Sequence, residues 1–279
     1  MPSEPVERRR LLRVRDQEVR EDDDWVVVEE PLEIRVGGEP LAVLMRTPGD
    51  DIDLAAGFAL TEGVVRRSAD LGTIAHCDDP AAGPGVTGGN VVDIGLVPGV
   101  NFDRDGLRRH LIASAACGIC GRASLEALAD RAGPNHSTMR VPRSLVASLP
   151  DRLAQGQGVF RRTGALHAAA LFDARGRPLV VREDVGRHNA VDKVIGRAIL
   201  EGLDLASTIL VVSGRTSFEI LQKAAVASVP IVAAVSGPTT LAIDTARAFN
   251  ITLVNFVRPG GMNVASCPER LTGDEPPLV

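Results

Sequence analysis

The sequence predicts an α/β protein in which a small N-terminal α+β unit precedes a larger domain with a mostly parallel sheet and helices on both faces. Three observations predict it. Apolar strand-like and helix-like segments alternate regularly from residue 165 to residue 257. Two of those strands end in the same Ser-Gly pair before a helix start, at Ser213-Gly214 and Ser236-Gly237. Hydrophobic residues make up 44% of the 279 positions and charged ones 24%, enough apolar material to bury a large core.

Taken in order, residues 1–24 read as a mobile arm, because Arg8-Arg9-Arg10 and Glu21-Asp22-Asp23-Asp24 are charge runs without periodicity. Order is expected from Trp25. Trp25–Val28 and Leu32–Val36 read as strands, Gly37-Gly38 as a hairpin turn and Leu41–Met45 as the returning strand. Thr47-Pro48-Gly49-Asp50-Asp51 breaks that strand and offers carboxylate caps to a helix. The helix places Leu54, Ala55, Phe58 and Ala59 on one face and ends at Gly63. Asn90–Ile94 alternates as a further strand, and the first unit (25–112) closes near residue 112.

The second unit, 113–279, opens with a Cys-x-x-Cys loop, Cys117-Gly118-Ile119-Cys120-Gly121, ahead of a helix from Ser124 to Ala129. Residues 133–140 are loop-like. Ala165–Phe172 and Pro178–Val181 follow as strands, Asp184–Leu200 as a helix, Thr208–Val212 as a strand and Ser217–Ala227 as a helix. Ile231–Val235, Leu241–Phe249 and Ile251–Val257 complete the alternation as strand, helix and strand.

Composition excludes several function classes. The net charge of −5, with no Tyr and one Trp, gives no basic, aromatic surface for nucleic acid. No apolar run approaches the roughly 20 residues of a membrane helix, and the polar, Arg-rich start is no signal peptide. A cytoplasmic protein without membrane or nucleic-acid partners is expected. Four cysteines in a reducing compartment are not a disulfide framework.

Cys117 and Cys120 are compatible with half of a zinc site, a dithiol redox pair or a sulfur-carrying thiolate with a neighbour. The helix behind them, with Arg108, Arg109 and Arg122 nearby in sequence, would lower a thiol pKa. His167 stands where zinc deaminases carry the His of a His-x-Glu motif, but Ala169 occupies the Glu position. In Arg182–Lys193, the side chains of Asp184, His188 and Asp192 share a helical face and Asn189 neighbours Lys193. A capped, solvated helix and a ligand-facing first turn are both open, and the crowding of Arg187, His188 and Asn189 favours the second. Ser213-Gly214-Arg215, Ser236-Gly237 and Arg258-Pro259-Gly260-Gly261 each follow a strand, where α/β sheets bind ligands. Three in succession suggest a large polyanionic ligand. Neither dinucleotide nor P-loop glycine fingerprints are present.

Glu30–Ile34, Thr47–Asp51, Leu60–Gly63, Cys117–Gly121, Thr163–Ala169, Arg182–Ala190, Ser213–Arg215 and Phe256–Gly260 together resemble the FdhD family, over about residues 25–270. These are sulfur carrier proteins required for formate dehydrogenase, and the Arg-Glu-Asp-Val-Gly-Arg-His-Asn run is highly specific to them. The resemblance implies a cytidine deaminase-like C-terminal domain and a cytoplasmic sulfurtransferase. It would take sulfur from a cysteine desulfurase as a persulfide on Cys117, with Cys120 as the second motif cysteine. It would pass that sulfur to the molybdenum cofactor, as bis-molybdopterin guanine dinucleotide, before insertion into formate dehydrogenase; a guanine nucleotide would mimic this ligand. Phe256, Val257, Arg258, Pro259, Gly260 and Gly261 match the family's cofactor-binding stretch, although Gly261 departs from the arginine expected in some members. Ser213, Gly214, Arg215, Ser236, Gly237, His188 and Asn189 join them as candidate cofactor contacts, and a homodimer is a family-level expectation. Two alternatives stand beside this reading. One is a zinc-dependent deaminase-type hydrolase, needing Glu183 or Asp184 as its carboxylate beside His167. The other is a chaperone that binds the cofactor without transferring sulfur.

Overall fold

The computed structural model describes residues 4–16, 18–77, 89–107 and 121–273. The expected N-terminal arm is instead a two-stranded antiparallel ribbon, β1 (Val6–Arg15) and β2 (Glu18–Val27). The two charge runs explain it. They are of opposite sign and meet across the strands, with Arg10 Nε 3.0 Å from Glu21 Oε2 and Arg13 2.7 Å from Asp24 Oδ2. At the base of the ribbon the Trp25 ring takes the Arg162 guanidinium 4.2 Å from its centroid.

The first unit is a four-stranded sheet, ordered β4-β3-β6-β5. It comprises β3 (Glu30–Val36), β4 (Glu39–Arg46), β5 (Leu71–His76) and β6 (Val91–Leu96). Helix α1 (Asp51–Glu62) packs on it. Asp50 occupies the N-cap without a side-chain cap bond, and the Asp51 carboxylate is taken by fully buried Arg46 at 2.9 and 3.0 Å, so the expected carboxylate caps do not form.

After α2 (Gly121–Ala129), the second unit builds a six-stranded sheet ordered β13-β12-β11-β10-β8-β9. Its strands are β8 (His167–Phe172), β9 (Pro178–Asp184), β10 (Ile209–Val212), β11 (Ile231–Ala234), β12 (Thr252–Arg258) and β13 (Gly261–Ser266). Parallel pairing is confined to β10-β11-β12; the β8–β9, β8–β10 and β12–β13 joints are antiparallel. The link from Phe172 to Pro178 is too short for a crossover, so β9 must reverse beside β8. A two-strand pairing of β7 (Val141–Pro142) with β14 (Leu271–Thr272) closes the far end.

Helices cover both faces of the large sheet, as expected. On one, α5 (Arg187–Leu200), α6 (Phe218–Val226) and α7 (Thr240–Ala248) pack over Ala169, Leu171, Leu210, Val212, Val232, Ala234 and Leu253. On the other, Val146, Leu149 and Leu153 of α3 (Arg143–Gly156) cover Ala168, Ala170, Phe172, Ile209, Val211 and Val254. Alternate residues of each strand feed opposite cores, as in sheets buried on both sides. A short helix, α4 (Gly158–Thr163), follows α3.

The units share one apolar cluster through α1 against α5. That contact is backbone to backbone: a Cβ on Gly57 would strike the Asp192 carbonyl, and one on Gly196 the Asp53 carbonyl. No described helix is long and apolar enough to cross a membrane.

Candidate functional site

Cys117 and Cys120 lie outside the described residues, as do Arg108 and Arg109. The strand-end candidates, by contrast, are gathered on one edge of the six-stranded sheet. At the end of β10, Ser213 accepts the Ala168 amide on its Oγ at 2.9 Å while its own amide donates to the Ala168 carbonyl at 2.9 Å. This locks the end of β10 to the start of β8. Gly214 then passes so close to His167 that a Cβ would stand 3.3 Å from the ring Nδ1. The Thr216 amide donates to the Gly237 carbonyl at 3.2 Å, and the Phe256 amide to the Ser236 carbonyl at 3.3 Å. Loops after β10, β11 and β12 are thus tied in sequence.

Arg215 and Arg258 are exposed on this edge, and Pro259-Gly260 forms the exposed turn between paired Arg258 and Gly261. Gly260 takes φ +85°, which favours glycine there. Val257 points inward into the lower core at 1% exposure, so only its backbone faces the edge.

Asn255 escaped the sequence reading. It is fully buried, and its Nδ2 donates to Thr216 Oγ1 at 2.9 Å and to the Ser236 carbonyl at 3.1 Å, joining all three strand ends. An amide inside an otherwise apolar strand, Leu253-Val254-Asn255-Phe256-Val257, is the signal that could have found it.

Helices α5 and α6 bring their first turns to the same edge, and neither N-cap, Gly186 or Ser217, makes a side-chain cap bond. In α7, Thr239 Oγ1 already accepts the Ala242 amide at 3.2 Å. Among the described residues, Arg187 Nε and His188 Nε2 are buried without hydrogen-bond partners. Burial, with help from Lys223 and Arg187, pushes His188 down to about 4, so its imidazole is neutral at pH 7. Its Nε2 lies 3.9 Å from Glu219 Oε2, too far for a hydrogen bond and without a charge to make an ion pair. His167 is also lowered, by burial and then by Arg187, against a weaker pull from Asp184.

The rest of the Arg182–Lys193 stretch faces protein. Asp184 is fully buried at the end of β9 rather than capping the helix, where its Oδ2 takes Lys193 Nζ at 2.8 Å and the Thr47 amide at 3.2 Å. Asn189 spends its amide protons on the Met45 carbonyl at 2.8 Å and on Asp184 Oδ1 at 2.9 Å. It therefore binds the first unit, and its donors are not offered to a ligand. Asp192 takes Lys223 at 2.8 Å and Thr61 Oγ1 at 2.7 Å. The solvated-helix reading fails for these residues, which are all under a tenth exposed. Only Arg187 and His188 of the first turn keep polar atoms for the edge.

The carboxylates a hydrolase would need are engaged elsewhere. Glu183 accepts the Val159 and Phe160 amides at 2.9 and 2.7 Å at the start of α4, and Asp184 is held by Lys193. Among the described residues no three His, Cys, Asp or Glu side chains are grouped to hold a metal.

These features define an α/β protein whose polar strand ends and two uncapped helix starts converge on one sheet edge. A profile of the FdhD/NarQ family matches residues 27–272, and the chain belongs to that family. It is 49% identical over 273 residues to the sulfur carrier protein FdhD of Streptomyces avermitilis, covering 95% of each chain. It is 45% identical over 269 residues to the protein of that name from Mycobacterium tuberculosis, covering 95% of this chain and 98% of that one. The fold matches a crystal structure from Desulfotalea psychrophila described as a formate dehydrogenase accessory protein, with TM-score 0.76, 23% identity, and 96% and 99% of the two chains covered.

Proposed function

We propose that the chain is a sulfur carrier that serves formate dehydrogenase. Cys117 accepts sulfur from a cysteine desulfurase, and the acceptor is the molybdenum cofactor in its bis-molybdopterin guanine dinucleotide form. What supports this most directly is the close identity, along nearly the whole chain, to proteins named sulfur carriers. In the capture step the Cys117 thiolate attacks the outer sulfur of the desulfurase persulfide, and the desulfurase thiolate leaves. Release follows when the Cys120 thiolate attacks the Cys117 sulfur. This expels hydrosulfide to the acceptor and leaves a disulfide that a dithiol reductant reopens. In reaction terms the protein is a sulfurtransferase.

The cofactor is substrate here, and the sheet edge fits its chemistry. Phosphates suit Arg187, Arg215, Arg258 and the open first turns of α5 and α6. Neutral His167 and His188 can donate or accept without adding charge beside a thiolate. The experiment is mass spectrometry after incubation with a cysteine desulfurase and cysteine. A gain of about 32 Da, removed by reductant and absent from Cys117→Ala, is expected. No adduct would overturn the reading. If Cys117→Ala still activates formate dehydrogenase, the protein acts as a cofactor chaperone instead.

A further inference from the structure

The ribbon of β1 and β2 shares no sheet with either unit. A lone pair of strands is marginal in water, and this one is pinned at its base, where Trp25 meets Arg162 of α4. Its two faces differ. The register puts Arg8, Trp25, Leu12, Val14 and Val19 on one of them. Val14 stands directly opposite Val19, and with Leu12 they form an apolar tip, 61%, 61% and 64% exposed respectively. At the tip of the other face Leu11 stands opposite Asp22 and Arg13 opposite Arg20.

At the base of the first face, two guanidiniums crowd one ring. Arg8, the cross-strand partner of Trp25, lies 5.1 Å from its centroid, and Arg162 lies 4.2 Å from it. One guanidinium is enough to hold the ring, and the second adds like-charge repulsion. Arg9, Arg10, Arg13 and Arg20 of the ribbon are each paired with a carboxylate. Among the described residues, Arg8 and Arg162 are not, and both are exposed. Stacking fixes the plane of a guanidinium and leaves its edge donors free, the arrangement that suits bidentate capture of a carboxylate. Arg161, the next residue on α4, differs: its Nη1 donates to the Ala154 and Gln155 carbonyls at 3.2 and 2.8 Å. Between base and tip the face offers no net cation, since Glu21 pairs with Arg10 and Asp23 stands opposite it.

We propose that this face of the ribbon docks an extended segment of a partner protein, acidic where it meets Arg8 and Arg162 and apolar where it meets Leu12, Val14 and Val19. Tryptophan and arginine are the side chains that dominate protein interfaces, and exposed apolar patches mark such surfaces. Arg8 and Val14 are about 20 Å apart along the strand, at about 3.3 Å per residue. A small anion cannot touch both ends, whereas an extended chain can. The proposal stands apart from the sulfur transfer, in which no ribbon residue takes part.

The test uses the full chain. Trp25 is its single tryptophan, so fluorescence reads the base of the face directly. The probes are a hexaglutamate peptide, the same peptide with a Gly-Ser-Leu-Leu-Leu extension, and inorganic pyrophosphate. A circular dichroism melt checks that each variant is folded. Hexaglutamate should change the Trp25 emission saturably, and the extension should tighten binding about tenfold. Val14→Ser should abolish that gain and leave hexaglutamate itself unaffected. Arg8→Gln and Arg162→Gln should each weaken both peptides about fivefold, while Arg161→Gln changes neither.

The absence of a saturable response to either peptide would overturn the proposal. A loss in Arg161→Gln equal to that in Arg162→Gln would do the same, because any surface cation would then serve. So would displacement of hexaglutamate by an equal concentration of pyrophosphate, which would make the base a small-anion site, or a leucine gain that survives Val14→Ser. If Arg162→Gln loosens the ribbon, Arg8→Gln, which leaves the Arg162 contact in place, decides alone.

Discussion

Lys223→Met removes the ammonium that sits between two carboxylates at the joint of the units. Lys223 Nζ donates to Glu62 Oε1 at 2.6 Å, Asp192 Oδ2 at 2.8 Å and Thr61 Oγ1 at 3.0 Å, using all three protons. The side chains of Lys223 and Asp192 are 4% and 3% exposed. Methionine fills the space without a charge. Arg131 still faces Glu62, so Asp192, which keeps only the Thr61 hydroxyl, is the carboxylate left without a counter-charge. Breaking a buried pair from one side costs about 3–5 kcal/mol. At about 2–4 °C per kcal/mol for a large domain, the melting temperature should fall by roughly 6–20 °C.

The pH dependence sharpens this test. Burial already raises Asp192 to about 6, outweighing Lys223 and aided by repulsion from Glu62, whereas Lys223 is raised because it sees two carboxylates. Without the ammonium Asp192 rises further. A carboxylate with a folded value above its unfolded one contributes stability fully below the unfolded value, which is lost as pH rises through the folded value. The deficit of Lys223→Met relative to wild type should therefore be largest near about pH 8 and shrink towards about pH 5. Urea unfolding followed by circular dichroism across that range measures it. A deficit below about 1 kcal/mol at the alkaline end, or one equal at both ends, would refute the reasoning.

Gly196→Ala should destabilise by about 3 kcal/mol or more, since both the new methyl group and the Asp53 carbonyl it meets are fixed by helix backbone; denaturation without loss would mean that α1 and α5 are not this close. His188 should titrate near 4 by nuclear magnetic resonance. Because its folded value lies below the unfolded 6.5, the stability it supports is present above pH 6.5 and lost as pH falls towards 4, and His188→Gln should flatten that acid limb. Arg162→Ala should shift the emission of Trp25, the chain's single tryptophan, to the red as the ribbon base loses its stacked guanidinium; an unchanged spectrum would show that the ribbon is held otherwise. Lys193 and Lys223, the only lysines, are buried, so an amine-reactive reagent should spare both in the native chain and label both after unfolding, as peptide mapping would show.

The central strands and helices of the second unit were legible because each carries its own period: Ile209–Val212 and Ile231–Ala234 are apolar runs buried on both faces. Helix α3 was hidden by Pro150 inside it, a residue that normally argues against a helix interior. The ribbon was hidden because its logic is pairwise. Neither charge run has a period of its own, and only their antiparallel register, Arg10 opposite Asp23 and Leu12 opposite Glu21, makes them a structure. At the edge, Ser213, Gly214, Arg215, Ser236, Gly237 and Arg258 were readable as strand ends, while Asn255 was not, since its role lies in bonds to two other loops.

Arg182–Lys193 shows why density of polar residues is an ambiguous signal. Of its charged and amide side chains, Arg182 pairs with Asp53 at 2.7 Å, Asp184 and Asn189 hold Thr47 and Met45, Lys193 donates to the Thr47 carbonyl at 3.0 Å, and Asp192 reaches Thr61. Every one of these partners belongs to the first unit. The stretch is polar because it is an interface between a helix and the strand ends and helix of another sheet, where unpaired backbone groups must be satisfied. Yet the same bonds fix Gly186 and hence the start of α5, which carries Arg187 and His188 to the sheet edge. The first unit thereby acts as the buttress of this sheet edge. A specific sequence run can be diagnostic of a family while most of its residues touch only protein, because carrying Arg187 and His188 to the sheet edge requires the others.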